Sequence, residues 1–129
     1  MGHERNLMSL LLIALGGALG ALSRYYLDTA VTRLLGPTVL GIFFVNITGS
    51  FLLGVFISAT ETHIAWQHNA RLFAAIGFLG SYTTFSALTV ATVELVQDGD
   101  LARAALNVGG SIIVGLTAAL LGLYLGKLL

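Results

Sequence analysis

A hydroxyl-rich stretch, GFLGSYTTFSALT at residues 77–89, lies within a long apolar run of the chain. It holds two glycines, two serines, three threonines and a tyrosine in thirteen positions. A single Ser or Thr can donate a hydrogen bond to the backbone of its own helix, so one such residue is uninformative. The number of hydroxyl side chains in this stretch is higher than that role explains. We predict a helix interruption at Gly80-Ser81-Tyr82-Thr83, because an interrupted membrane helix exposes backbone carbonyls and amides that hold small ions.

A second polar group, the Asn46 side chain, lies in another apolar run. An amide in hydrocarbon must find hydrogen-bond partners, since leaving it unpaired costs several kcal/mol. Asn46 therefore either bonds to a neighbouring helix or contacts a small ligand, and the residue alone does not decide between the two. The apolar runs carry no charged residue away from their ends, which argues against proton-coupled exchange, because membrane proton relays use ionisable groups.

The composition places these groups in a membrane. Of the 129 residues, 57% are hydrophobic and only 9% are charged, too few for a water-soluble surface. Four uncharged stretches each reach the roughly 18 to 20 residues that a membrane-crossing helix needs. We predict an all-α membrane protein with a single four-helix transmembrane domain over residues 1–129, its helices at about 7–27, 38–60, 72–95 and 104–127.

The short connections and the lack of cysteine limit the chemistry. Residues 24–37, 61–71 and 94–103 leave no room for a soluble catalytic domain, and no cysteine is available as a nucleophile or thiolate ligand. The net charge is zero, without a basic patch for nucleic acid. We therefore expect neither an enzyme nor a nucleic-acid-binding protein.

The basic residues are balanced between the two sides of the predicted helices. Cytoplasmic loops normally carry the excess of Lys and Arg, which fixes the orientation of a membrane protein. The balance predicts insertion in both orientations and pairing of two antiparallel copies, although chance in so small a count is an alternative. One side holds Arg5, Arg71 and Lys127, and the other holds Arg24, Arg33 and Arg103.

Small residues recur four positions apart in the predicted first and fourth helices. Gly16 with Gly20, and Gly122 with Gly126, have this spacing. In lipid, such spacing lets helix backbones approach closely, and packing replaces the hydrophobic driving force. The pattern favours a tightly packed bundle and an oligomer.

These motifs together resemble the bacterial fluoride channels of the Fluc (CrcB) family. The resemblance covers nearly the whole chain in the right order, through GxxxGAxxRY at Gly16–Tyr25, Val45-Asn46 followed by Gly49, and GFLGSYTTFS at 77–86. It implies a passive channel of the bacterial inner membrane that lets cytoplasmic fluoride leave the cell. It further implies an antiparallel, dual-topology homodimer with a structural sodium ion and a third helix broken near its middle.

The resemblance also assigns residues. The expected fluoride pathway consists of Asn46, Thr84, Phe85, Leu88, Ser111 and Arg24. The backbone carbonyls of Gly80 and Thr83 are implied to hold the sodium ion, which as a hard cation prefers oxygen ligands. Fluoride would be coordinated by uncharged donors and by the positive edge of a phenyl ring.

Three positions depart from the family pattern and keep alternatives open. Leu88 replaces a second phenylalanine, Ile42 a threonine, and Gly115 a second fourth-helix hydroxyl. An accessory subunit of a heteromeric fluoride channel is therefore one alternative. A small multidrug exporter is another, although such a protein should carry a carboxylate in its first helix, and residues 6–23 contain none.

Overall fold

The computed structural model describes residues 2–61 and 67–129, with side chains from residue 6 and from residue 68 onward. Within these ranges every regular element is helical. The elements are α1 (Gly2–Leu35), α2 (Leu40–Glu61), α3 (Gln67–Ala70), a π-helical segment (Arg71–Leu79), α4 (Gly80–Tyr82), α5 (Phe85–Gln97) and α6 (Leu101–Gly126).

Four helical stretches are long and apolar enough to cross a membrane: Asn6–Leu35, Leu40–Glu61, His68–Gln97 and Leu101–Gly126. This confirms the prediction of an all-α protein with four membrane-capable helices. Of the predicted loop at 61–71, residues 62–66 lie outside the described residues, as does the side chain of Arg5, whereas Gln67–Ala70 and Arg71 are helical and not in a loop.

Helix α1 ends at Leu35, whereas we expected its end near residue 27. That expectation followed the charged residues Arg24 and Arg33, which end the apolar run. Charge does not break a helix, however, and residues 24–35 contain neither glycine nor proline before Gly36 and Pro37. Gly36 adopts a left-handed φ of 80°, and Pro37 cannot continue the helical hydrogen bonding, so the pair ends α1.

The connection from α5 to α6 takes only residues 98–100. Gly99 has a φ of 79°, and the Asp100 amide donates to Leu95 O at 2.9 Å, which satisfies a carbonyl at the end of α5. The Asp100 carboxylate then accepts from the Arg103 amide at 3.0 Å and caps α6. Because this turn is so short, α5 and α6 are adjacent and antiparallel.

Helices α2 and α6 approach each other through glycine. A Cβ on Gly54 would lie 2.6 Å from Ala119 O and 2.9 Å from Leu123 N. A Cβ on Gly122 would overlap Phe51 O. Since these neighbours are backbone atoms and cannot rotate away, the two helices can be this close only where one of them lacks a side chain.

Glycines also allow the backbone of α1 to approach that of the π-helical segment closely. A Cβ on Gly77 would lie 2.8 Å from Ile13 O, and a Cβ on Gly20 would overlap Phe78 O. Gly16 and Gly20 are the first of the small-residue pairs noted above, and Gly122 belongs to the second. The spacing in the sequence therefore marks real backbone contacts between helices.

The bundle buries few large side chains. Val45 is fully buried, and Leu79 and Tyr82 pack beside it. Most leucines of α1 and α6 are exposed. Apolar surface on this scale is typical of a protein that faces lipid or a partner subunit.

Candidate functional site

Two residues with extended backbone separate α4 from α5. Thr83 has φ −77° and ψ 154°, and Thr84 has φ −150° and ψ 117°. The Thr84 hydroxyl accepts from the Ala87 amide at 3.2 Å, so Thr84 is the N-cap of α5. Both residues lie inside the hydroxyl-rich stretch singled out in the sequence.

The Asn46 amide holds this extended backbone from the neighbouring helix α2. Asn46 Nδ2 donates to Thr84 O at 3.0 Å, and Asn46 Oδ1 accepts from Thr84 N at 2.8 Å. The side chain thus pairs with both backbone groups of one residue, as a neighbouring strand would. One amide N–H of Asn46 remains without an acceptor among the described residues, so the interhelical bond and a ligand contact are compatible.

Two backbone amides near the extended residues donate to side chains and not to the carbonyls of a helix. Thr84 N would donate to Gly80 O in a continuous helix, but it donates to Asn46 Oδ1 instead. Ala87 N would donate to Thr83 O, but it donates to the Thr84 hydroxyl. The carbonyls of Gly80 and Thr83 therefore lose the helical donors that a regular helix would supply.

Tyr82, in the turn before the extended residues, forms a hydrogen bond with α2. Its hydroxyl lies 2.8 Å from Thr48 Oγ1, and its ring stacks on Phe78 with centroids 5.9 Å apart. Tyr82 is buried, only 7% exposed. No local pattern in the chain pairs residues 48 and 82, so this contact could not be predicted from the sequence.

We expect Tyr82→Phe to keep the ring packing and to lose the hydroxyl contact. One hydrogen bond of this kind contributes about 1 kcal/mol to stability. The measurement is the midpoint of thermal aggregation in detergent, which should fall modestly while the protein elutes at the same position from a sizing column. An unchanged midpoint would show that the bond to Thr48 adds nothing to stability.

A cavity of about 290 Å³ lies beside Asn46, between α2, α6 and the extended residues. None of its lining residues, all in the described part of the chain, carries a charge. We call it the Asn46 cavity; its lining consists of Asn46, Gly49, Ser50, Leu53, Thr83, Thr84, Phe85, Leu88, Ser111 and Ile112.

Five of the six residues predicted for the fluoride pathway line this cavity. Thr84, Leu88 and Ser111 are buried, whereas the Phe85 ring at the rim is 78% exposed. The Ser111 hydroxyl is buried and has no hydrogen-bond partner among the described residues. Buried hydroxyls are normally paired, so an unpaired one at a cavity wall indicates a site for a ligand.

The sixth pathway residue, Arg24, lies apart from Asn46. It lines a larger cavity of about 550 Å³, which we call the Arg24 cavity. Thr84 lines both cavities, so it lies between Arg24 and Asn46. The lining of the Arg24 cavity consists of Ala21, Arg24, Tyr25, Asp28, Ile42, Thr84, Ser86, Ala87 and Val90.

The two residues predicted for sodium are placed differently, since Thr83 lines the Asn46 cavity and Gly80 does not. Gly80 is exposed and lines neither cavity, and Thr83 is half-buried. Sodium ligation by their carbonyls stays a prediction. The loss of helical donors at both carbonyls fits such a role, because unwound backbone carbonyls are the usual sodium ligands in broken membrane helices.

Ser50 and Asp28 are among the cavity residues that were not predicted for the site. Ser50 lies four residues after Asn46, and Asp28 lies four residues after Arg24. Residues four apart share a helix face, so this spacing was a usable signal in both cases. Asp28 also lies against Gly41 in the first turn of α2, where a carboxylate is favourable at the positive end of the helix.

Comparison with known proteins assigns the chain to a family. Residues 11–123 match the model of the CrcB-like protein, Camphor Resistance (CrcB), family. A fluoride-specific ion channel FluC of Thermus thermophilus is 45% identical over 127 residues, covering 98% of this chain and 96% of that protein. A protein of the same description from Acidobacterium capsulatum is 38% identical over 121 residues, covering 93% and 97%. The chain is a multi-pass membrane protein and belongs to the CrcB family, as its motifs indicated.

Proposed function

We propose that this chain forms a fluoride-selective channel that lets cytoplasmic fluoride leave the cell passively across the inner membrane. The relatives described above are named fluoride-specific ion channels. The observation that carries the proposal is the Asn46 cavity, which offers hydrogen-bond donors at membrane depth without any charged side chain.

Fluoride is small and strongly hydrated, so a pore must replace its water with close donors. The spare N–H of Asn46 and the unpaired hydroxyl of Ser111 are two such donors on facing helices. The Phe85 ring at the rim can add its positive edge. A narrow passage built this way favours the smaller halide, since pore selectivity depends on diameter and lining groups.

The Arg24 cavity is the proposed entrance to this pathway. The Arg24 guanidinium shares this mouth with the Asp28 carboxylate, so the proposed attraction of anions acts close to the guanidinium and does not come from a net positive mouth. Thr84 and Ser86 line the same cavity with hydroxyls. Thr84 forms the wall that the two cavities share, and we propose that an anion attracted by Arg24 passes this residue to reach the donors around Asn46.

We further propose that two copies of the chain pair in antiparallel orientation. The balanced positive charges support dual insertion. The Phe85 ring, largely exposed in a single chain, would be covered by the partner. In this assembly Thr83 and Thr84 are the break in a single third transmembrane helix, His68–Gln97.

A structural sodium ion between the two copies completes the proposal. The carbonyls of Gly80 and Thr83 would hold it, and it would supply positive charge that joins the two segments without being transported. Binding only to the folded state stabilises by mass action. The midpoint of thermal aggregation should therefore rise with sodium concentration and respond less to a bulky organic cation, whereas an equal response to both would contradict the sodium site.

The purified chain alone should release fluoride from loaded liposomes, measured with a fluoride-selective electrode. Matched liposomes loaded with chloride should lose far less, and a similar chloride flux would contradict selectivity. Leu88 and Ile42 leave the accessory-subunit alternative open. Release only after co-reconstitution with a second homologue would favour that alternative over a self-sufficient homodimer.

A further inference from the structure

We propose that the Ser50 hydroxyl is a further fluoride donor in the Asn46 cavity, acting where the neighbouring helix lacks a side chain at Gly115. This inference rests on the proposed function and names one more residue of the same pathway. It arises from three observations: the position of Ser50, the state of its hydroxyl, and the space beside it.

Ser50 follows Asn46 by one helical turn, and both residues line the cavity. Ser111 lines the opposite wall on α6, and Gly115 follows it by one turn. Gly115 does not itself line the cavity, but a Cβ on it would lie 4.0 Å from Ser50 Oγ. Asn46 and Ser111 place a donor on each helix. One turn later, Ser50 carries a donor and Gly115 has no side chain.

The Ser50 hydroxyl is free to meet a ligand. Serine and threonine in membrane helices usually donate to their own backbone, as Thr48 does to Phe44 O at 2.7 Å and Thr60 does to Phe56 O at 2.7 Å. Among the described residues, no such bond involves Ser50. Its O–H is therefore available at the cavity wall.

Opposite Ser50, the packing around Gly115 is ordinary and leaves room for a Cβ. A Cβ on Gly115 would lie 4.0 Å from Ser50 Oγ and 3.6 Å from Ile47 Cδ1, both ordinary contact distances. Unlike Gly54 and Gly122, Gly115 is thus not required for helix contact. A hydroxyl carried by residue 115 would enter the same gap as the hydroxyl of Ser50, so one can replace the other.

The test is a cycle of variants assayed by fluoride efflux from liposomes. Ser50→Ala should lower the efflux at least about fivefold, because hydrogen bonds to a charged partner are among the strongest. Gly115→Ser alone should not lower it. The double variant Ser50→Ala with Gly115→Ser should return the efflux to within about twofold of the wild-type rate, since it restores one hydroxyl to the gap.

A matched control is Thr117→Ala on α6. The Thr117 hydroxyl donates to Ile113 O at 2.8 Å and does not line the cavity, so its loss should leave the efflux unchanged. Ser50→Thr and Ser50→Val form a second comparison, as they differ only in the hydroxyl. The threonine variant should conduct at least about fivefold faster than the valine variant.

The outcomes separate this inference from the proposed function. Undiminished efflux in Ser50→Ala, or a loss that Gly115→Ser does not restore, would overturn the role of Ser50 while leaving the fluoride channel intact. Equal rates for the threonine and valine variants would do the same. Absence of fluoride efflux from the wild-type protein would overturn both proposals.

Discussion

Asn46→Asp should reduce fluoride efflux from liposomes about 100-fold or more, because a carboxylate would face the anion in a desolvated passage. Two like charges about 4 Å apart repel by about 4 kcal/mol at an effective dielectric constant near 20, and each 1.4 kcal/mol corresponds to a factor of ten in rate. The substitution also removes the N–H that donates to Thr84 O and leaves the carboxylate against that carbonyl. The measurement is the initial rate of fluoride release at equal protein content.

Asn46→Ala removes the hydrogen bonds of Asn46 without adding a charge, so comparing it with Asn46→Asp separates the two effects. It leaves both backbone groups of Thr84 without their partner, and each buried unpaired group costs about 1 to 3 kcal/mol, so its thermal midpoint should fall. Asp can still accept from Thr84 N and should retain more of the fold. A folded Asn46→Asp protein with undiminished efflux would remove Asn46 from the pathway.

Gly122→Ala should prevent correct folding of the bundle, although alanine is the better helix former. Intrinsic propensity favours Ala over Gly by about 1 kcal/mol. At Gly122, however, the new methyl group would overlap Phe51 O and lie 3.0 Å from Val55 N, so α2 and α6 must separate. Overpacking of this kind costs about 1 to 3 kcal/mol or more, and here the obstructing atoms are backbone atoms of α2 that cannot rotate away.

Gly109→Ala on the same helix is the matched control. Nothing lies within 4 Å of a Cβ at Gly109, so only the gain in helix propensity remains. Sizing-column elution and thermal midpoints should show a poorly folded Gly122→Ala protein beside a normal or slightly more stable Gly109→Ala protein. Equal behaviour of the two variants would show that the close approach of α2 and α6 is not required.

The membrane-spanning stretches could be predicted because apolar composition alone determines them. The end of α1 could not, since Arg24 and Arg33 end an apolar run without breaking a helix, and only Gly36 and Pro37 do so. Glycine spacing identified the contact faces of α1 and α6. It could not identify which backbone atoms those glycines meet.

The sequence predicted several of the residues that form the candidate site. It did not predict how these residues contact one another. Asn46 and Thr84 are 38 positions apart, and no local pattern shows that one amide would bond to both backbone groups of that threonine. The separation of Arg24 from the other predicted pathway residues likewise depends on how α1 packs. Ser50 could have been predicted, because its spacing of four from Asn46 places the two residues on one helix face.

The length of α1 has a consequence for how the molecule meets lipid. Its 34 residues span about 51 Å, whereas the hydrocarbon layer is about 30 Å thick. The turns from Arg24 to Leu35 are about 18 Å long, so α1 must either tilt within the hydrocarbon layer or continue past it. Where α1 continues past that layer, Arg24 would meet lipid phosphates as well as dissolved anions, and the lipid composition would then affect the entrance proposed above.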